Sequence, residues 1–179
     1  VVRINALDTQ WGADDARAIG HCFGSLLRRS GGSVAEPGAK TVAVGYDGRV
    51  SSPMLEHALV EGLCASGCNV VRIGMGATPM LYYAEASNEQ MDGGIQITGS
   101  HNPPDYNGFK MVFEGRPFFG SDIQNLGALA AAGDVEDGVG EVASRDIMDE
   151  YVERMLEGLA GIDTGALSNL KVGWDAGNG

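Results

Sequence analysis

Short β-rich runs alternate with helix-periodic segments along most of this chain, and that alternation confines it to a layered α/β fold that binds ligands at the carboxyl ends of its strands. The runs Thr41 to Gly45, Val70 to Ile73, Gly93 to Ile97 and Phe109 to Phe113 have the length and residue types of strands. Between them, Ala13 to Ser30 repeats Ala16, Ile19, Phe23, Leu26 and Leu27 at helical spacing, and Leu55, Leu59 and Leu63 do the same from Ser51 to Gly67. Thr78-Pro79 opens a third helix through Met80, Leu81, Tyr82 and Tyr83, and Asp122 to Ala132 reads as a fourth with Ile123, Leu126 and Leu129 inward. An acidic, glycine-rich connector from Gly133 to Gly140 leads to a last helix, Asp146 to Leu159, and a strand, Leu170 to Trp174.

Local signals set the boundaries. Asp14 and Asp15 in the first turn of the first helix, with Arg28 and Arg29 in its last, complement the helix dipole, and Gly31-Gly32 stops it before a small-residue loop. Ser51 is expected to cap the second helix with Pro53 at its start, and Thr78 to cap the third. Tyr82 and Tyr83 are adjacent and cannot share one helix face.

At 179 residues the chain is about one domain, large enough to fold without disulfides or a structural metal. Its 28 glycines are about twice the usual share yet follow no Gly-X-Y period, which means many tight turns. Twelve Lys and Arg against 24 Asp and Glu give a net charge of -12, which removes the counterion-release drive for nucleic-acid binding. A small phosphorylated ligand stays open, because a local pocket of amides and cations holds a phosphate against an adverse global field. Cys22, Cys64 and Cys68 are odd in number and lack zinc spacing, so they read as free thiols of a reducing cytosol. No run approaches the ~20 apolar residues of a membrane helix, and Val1-Val2-Arg3 opens no signal peptide. Without an initiator Met the chain reads as trimmed, and a cytoplasmic location is expected.

The densest polar segment follows the strand at 93–97: Thr98-Gly99-Ser100-His101-Asn102-Pro103-Pro104-Asp105-Tyr106-Asn107-Gly108. Gly99 permits a tight turn, Ser100 supplies a hydroxyl, and the two prolines stiffen the far side. His101 and Asn102 can donate hydrogen bonds to phosphate oxygens, and Lys110 can return toward the loop along the next strand. Such donors are what a phosphate needs where water is partly excluded. A capping turn uses the same residue types, so composition leaves both readings open. One His beside one Ser is not a triad, and Gly-x-Ser-x-Gly is absent because Asn102 replaces the second glycine, which leaves a serine hydrolase the weakest reading.

From Thr98 to Lys110 the sequence closely resembles the phosphoserine loop of the α-D-phosphohexomutases, most of all their bacterial phosphomannomutase/phosphoglucomutase branch. The phosphoglucosamine mutase branch generally continues differently after its Ser-His-Asn-Pro core. Val44-Gly45-Tyr46-Asp47-Gly48-Arg49 resembles the family's first-strand turn and Thr78-Pro79-Met80-Leu81-Tyr82-Tyr83 its third-helix start, so the resemblance runs along nearly the whole chain. It implies the first domain of a phosphohexomutase, a three-layer α/β/α mixed sheet over residues 1–165 with the phosphoserine loop at 98–110. Residues 166–179 are then a linker and the first strand of a second domain. The implied activity is that of an isomerase interconverting hexose 1-phosphate and hexose 6-phosphate, of mannose or glucose, through a phosphoserine and a bisphosphorylated sugar that reorients.

Carried over residue by residue, the resemblance makes Ser100 the phosphorylated nucleophile, whose phosphate is also a ligand of Mg²⁺. It gives His101 a catalytic place in the loop, Asn102 and Thr98 contacts to the phosphate, and Lys110 proton transfer or charge stabilisation at the sugar hydroxyl. Arg3 is the best match to the arginine of the family's Tyr-Asp-x-Arg-Gly motif, although its neighbours differ. Asp47 and Arg49 are read as a salt bridge in the turn behind the loop. Family members have four domains, and the aspartate-rich metal loop, the sugar-reading loop and the phosphate-binding loop of the other three find no match here. Residues 1–179 alone are therefore expected to hold Mg²⁺ poorly and not to turn over. Domains II–IV of the parent chain are the implied partners, a hexose bisphosphate the implied activator, and a non-catalytic phosphosugar-binding domain the alternative.

Overall fold

The apolar run beginning at Thr41 becomes the middle of the molecule. In a computed structural model that describes residues 2–3, 12–30 and 40–175, the chain order is β1 (Val2–Arg3), α1 (Ala13–Ser30), β2 (Thr41–Tyr46), α2 (Ser52–Ala65), β3 (Asn69–Met75), α3 (Thr78–Ala86), β4 (Gly93–Ile97), β5 (Tyr106–Asn107), β6 (Phe109–Phe113), β7 (Arg116–Phe118), α4 (Ser121–Ala132), β8 (Val142–Ser144), α5 (Met148–Glu157) and a 3₁₀ turn at Thr164–Asn169. Six strands form one sheet in the order β7-β6-β4-β2-β3-β8, while β1 and β5 pair separately. The β4, β2, β3 and β8 strands run parallel, and β6 and β7 return antiparallel along one edge.

Four consecutive residues of β2 are buried, as a strand covered on both faces requires. Val42 and Val44 face a core built with Phe23 and Leu27 of α1, Leu55, Leu59 and Leu63 of α2, and Leu126 of α4. Ala43 faces the opposite layer, where Met80 and Leu81 of α3 pack with Ile73 and Ile147. The expected three-layer α/β/α mixed sheet is the one observed. Close approach of α1 and α2 depends on two glycines: a Cβ at Gly20 would run into the carbonyl of Leu59, and one at Gly62 into that of Arg17.

Several local expectations change. Ser51 makes no side-chain cap, and Thr78 lies inside α3 behind an N-cap at Ala77. Arg28 does more than face the dipole of α1, because it is buried and donates to the carbonyls of Ser66 and Asp137 at 2.8 and 3.2 Å. Tyr82 is exposed and Tyr83 packs edge-on against Tyr151 at 5.7 Å. Ile123, expected inward, is exposed. The connector from 133 to 140 is tied to α1 by Arg29, which pairs with Asp134 and Glu136, and it delivers the edge strand β8. Leu170 to Trp174 forms no strand; it is exposed, with no neighbouring strand among the described residues to complete a ladder. Gly31-Gly32 lies outside the described residues.

The three thiols are free, and burial raises each one's pKa. Among the described residues no helix is long and apolar enough to cross a membrane.

The packing of α1 on α2 sets a test. Gly62→Ala is expected to lower stability by about 1–3 kcal/mol through overpacking, whereas Gly127→Ala in α4, where the added methyl meets no described atom within 4 Å beyond its chain neighbours and the adjacent backbone of its own helix, is expected to raise it by about 0.5–1 kcal/mol. Urea midpoints of the two variants measure both.

Candidate active site

Two parallel strands bring the site together. Tyr46 at the end of β2 lies level with Ile97 at the end of β4, and the amide of Asp47 donates to the Ile97 carbonyl at 2.9 Å. The turn after β2 and the polar loop after β4 are therefore neighbours at the carboxyl edge of the sheet. The base of the loop closes where the Thr98 amide donates to the Gly108 carbonyl at 2.9 Å, and β6 carries the chain back antiparallel to β4.

Ser100 stands exposed at the tip of the first turn with φ +55°, a left-handed conformation that L-residues other than Asn and Asp rarely adopt. Its amide donates to Thr98 Oγ1 at 2.8 Å. The next turn is closed by Asn102, whose amide and Nδ2 both donate to the Gly99 carbonyl, at 3.0 and 2.8 Å. Beneath the loop lies the guanidinium of Arg49. Its Nη2 donates to the carbonyls of Ser100 and Asn102 at 2.8 and 2.7 Å, and its Nη1 to those of Pro103 and Tyr106 at 2.6 and 3.0 Å. Its Nε donates to Asp47 Oδ2 at 3.1 Å. Only glycine fits at position 99, because a Cβ there would lie 2.5 Å from Arg49 Cζ and 2.6 Å from the Tyr106 carbonyl oxygen.

Asp47 is fully engaged. It accepts from Ser52 Oγ at 2.6 Å, from the Arg49 amide at 3.1 Å and from the Gly99 amide at 3.3 Å. Burial alone would raise the pKa of this carboxyl, but hydrogen bonds from Ser52, Thr98 and the Arg49 amide, with the nearby guanidinium, hold it below the ordinary range. Such a carboxylate braces the loop; its lone pairs are not free to take a proton from Ser100. A cavity of about 260 Å³ opens here, lined by Asp47, Gly48, Arg49, Val50, Ser100, Asn102 and Pro104. A larger one of about 390 Å³, between α1, α4 and β6, has a mainly apolar wall and lies away from Ser100.

The structure thus joins Ser100, Asn102 and Thr98 in one turn and distributes the other candidates around it. Thr98, read as a phosphate contact, is buried and its hydroxyl is occupied by the Ser100 amide and Asp47. Ser100 Oγ makes no hydrogen bond to His101 among the described residues, and His101 is exposed outside the cavity lining. Lys110 sits on β6 directly across from Gln96 and does not line the cavity. For Arg3 only the backbone is described; it pairs with Tyr106 at the return of the loop. The Asp47–Arg49 salt bridge was legible as a turn contact, while its four loop carbonyls were not. Asn107 was also missed. Fully buried, it donates from Nδ2 to the hydroxyls of Ser51 and Ser52 at 2.9 and 2.8 Å, tying the loop to the start of α2. Among the described residues no three His, Cys, Asp or Glu converge, and Asp47 is already saturated, so these residues do not by themselves fit a divalent cation.

The described residues thus form a three-layer α/β/α domain with an exposed serine at the carboxyl edge of its sheet. The family model for phosphoglucomutase/phosphomannomutase, alpha/beta/alpha domain I, matches residues 2–136. A phosphomannomutase/phosphoglucomutase from Pseudomonas aeruginosa is 41% identical over 167 residues, covering 93% of this chain and 33% of its own length. A phosphoglucomutase from Neisseria meningitidis serogroup B is 46% identical over 127 residues, 68% of this chain and 26% of its own. Among solved structures, that of a phosphoglucomutase/phosphomannomutase family protein from Burkholderia thailandensis superposes with a TM-score of 0.77 at 41% identity, over 86% of this chain and 33% of that one. This chain belongs to the phosphoglucomutase/phosphomannomutase family and corresponds to its α/β/α domain I, spanning about a quarter to a third of the length of these relatives.

The depressed pKa of Asp47 sets the sign of an acid effect: its contribution to stability is present above the ordinary carboxylate value and is lost as pH falls through the lowered one. Asp47→Asn is expected to reduce stability at pH 7 and to flatten the loss of stability below about pH 4, a difference that urea titrations at several pH values would read.

Proposed function

We propose that Ser100 is a phosphoryl carrier and that the parent chain is a phosphohexomutase. In this reading the phosphoserine gives its phosphoryl group to a hydroxyl of a hexose monophosphate, the bisphosphorylated sugar reorients, and its other phosphate returns to Ser100, exchanging hexose 1-phosphate and hexose 6-phosphate of mannose or glucose. The observation that carries it is the exposed Ser100 held at φ +55° on a braced turn, with its hydroxyl free of a histidine partner among the described residues. A hydrolytic serine would need that partner; a carrier needs display and a fixed position. Membership in a family whose relatives carry mutase names supports the same reading.

Asn102 lines the cavity and is proposed to contact the phosphate, with His101 at its outer side and Lys110 assisting at the sugar hydroxyl. Arg3 keeps its proposed role from the motif match alone. Mg²⁺ belongs to the proposal through the family resemblance, as do a hexose bisphosphate activator and a cytoplasmic location. No step is assigned to the metal, because the described residues do not complete a site for it. Residues 166–179 are proposed to lead into a second domain, with domains II–IV supplying the remaining contacts to the sugar.

Phosphopeptide mapping of the purified protein tests the proposal. The tryptic peptide from Ile73 to Lys110 is expected to carry phosphate on Ser100, localised by fragmentation against Thr78, Ser87 and Thr98. In the full-length parent, Ser100→Ala is expected to abolish mutase activity. An active parent with unmodified Ser100 overturns the phosphoserine mechanism, and a parent that binds hexose phosphates without turnover favours a binding domain.

A further inference from the structure

We propose that Arg49 is the positioning residue of Ser100, a guanidinium clamp that fixes the serine loop through its carbonyls and takes no part in holding phosphate. The proposal rests on the carrier reading of Ser100 for its kinetic consequence only. An arginine on the wall of a cavity that opens at a serine invites assignment as the anion's partner. The donors say otherwise. Arginine has five N–H donors in a fixed fork, and here Nε is given to Asp47 while the two Nη atoms each serve two carbonyls. None is left for a phosphate oxygen.

The four carbonyls belong to Ser100, Asn102, Pro103 and Tyr106, so the clamp grips the serine itself, the turn after it and the point where the chain returns. Converging carbonyl dipoles repel one another unless a cation lies between them. Arg49 is that cation, and its side chain is only 12% exposed. Its planar fork matches the carbonyl positions in a way that a lysine ammonium, a single point of charge with three donors, does not. Ser100 holds a left-handed backbone, a conformation that persists where its surroundings over-determine it. Gly99 completes the arrangement by leaving room for the guanidinium directly under the turn. The hydroxyl is thereby fixed in space by a residue that never touches the transferred group.

Charge and clamp predict different behaviour for Arg49→Lys. If the charge alone mattered, lysine would serve. If the fork matters, Arg49→Lys and Arg49→Ala fail alike. In the 179-residue chain, both variants are expected to raise hydrogen exchange of the Ser100, Asn102 and Tyr106 amides by ~10-fold or more, with the β2 and β4 amides unchanged. In the full-length parent, Arg49→Lys is expected to lower kcat by ~100-fold with KM held within about twofold, because misplacing a reacting group costs turnover rather than binding. Arg17→Lys, at a guanidinium paired on the helix surface with Glu61 and Asp14, is the matched control and is expected to match wild type.

Unchanged loop exchange in Arg49→Lys overturns the clamp whatever the activity. Faster exchange with unchanged kcat overturns the positioning role and leaves a structural strut. A rise in KM without loss of kcat overturns it in favour of a phosphate contact. If Arg49→Ala does not fold, Arg49→Lys and Asp47→Asn carry the same exchange measurement, the latter expected to loosen the loop by removing the Nε anchor. A wild-type parent without mutase activity refutes the preceding function, while the exchange data still decide the clamp.

Discussion

The parallel pairing of β2 with β4 is the constraint on which the site depends. Its register sets Tyr46 beside Ile97, and the residues that follow each strand then emerge side by side. From one comes Asp47 with Arg49, from the other Thr98, Gly99 and Ser100. Neither segment has the means to hold this geometry alone: the serine loop turns several carbonyls inward, and the turn after β2 carries a carboxylate and a guanidinium needing partners. Strand pairing places each where it satisfies the other, so the sheet acts as the assembly jig for the candidate site at its edge.

Electrostatics make the arrangement local. The chain as a whole is strongly acidic, with a net charge of -12, yet the strut beneath the loop pairs one carboxylate with one guanidinium. Asp47 draws its remaining donors from Ser52, Thr98 and the Gly99 amide, and Asn107 links the far side of the loop to the same two serines that open α2. The start of α2 is therefore spent on bracing the loop. The missing cap goes with this arrangement: Ser51 has a helical rather than extended backbone and its hydroxyl accepts from Asn107, while the Ser52 hydroxyl donates to Asp47.

The fold was largely legible because its elements carry long, regular patterns. The helix at 13–30 and the strands at 93–97 and 109–113 stand where their periodicity puts them. What escaped reading is short or depends on a distant partner. The edge strands β7 and β8 have three residues each and exist only because a neighbour offers a ladder, whereas Leu170 to Trp174 has strand-like residues and no such neighbour among the described residues. In the site, the loop and its serine were visible as a motif, and the Asp47–Arg49 pair as a spacing of two. The carbonyls that Arg49 grips were not, since backbone acceptors leave no trace in residue identity. Thr98 is a related case: its hydroxyl is the right kind of group for a phosphate, and only the fold reveals that an amide and a carboxylate also engage it.

Ser100 occupies a backbone conformation that suits glycine better than serine. Selection for folding alone would let that position drift to glycine, in a protein no less sound and with its loop, brace and cavity in place. The hydroxyl is therefore held against the preference of the backbone, as the proposed carrier role requires. Under the proposed carrier role, a glycine at this one position would mark a domain that keeps its fold and has lost the group it carries.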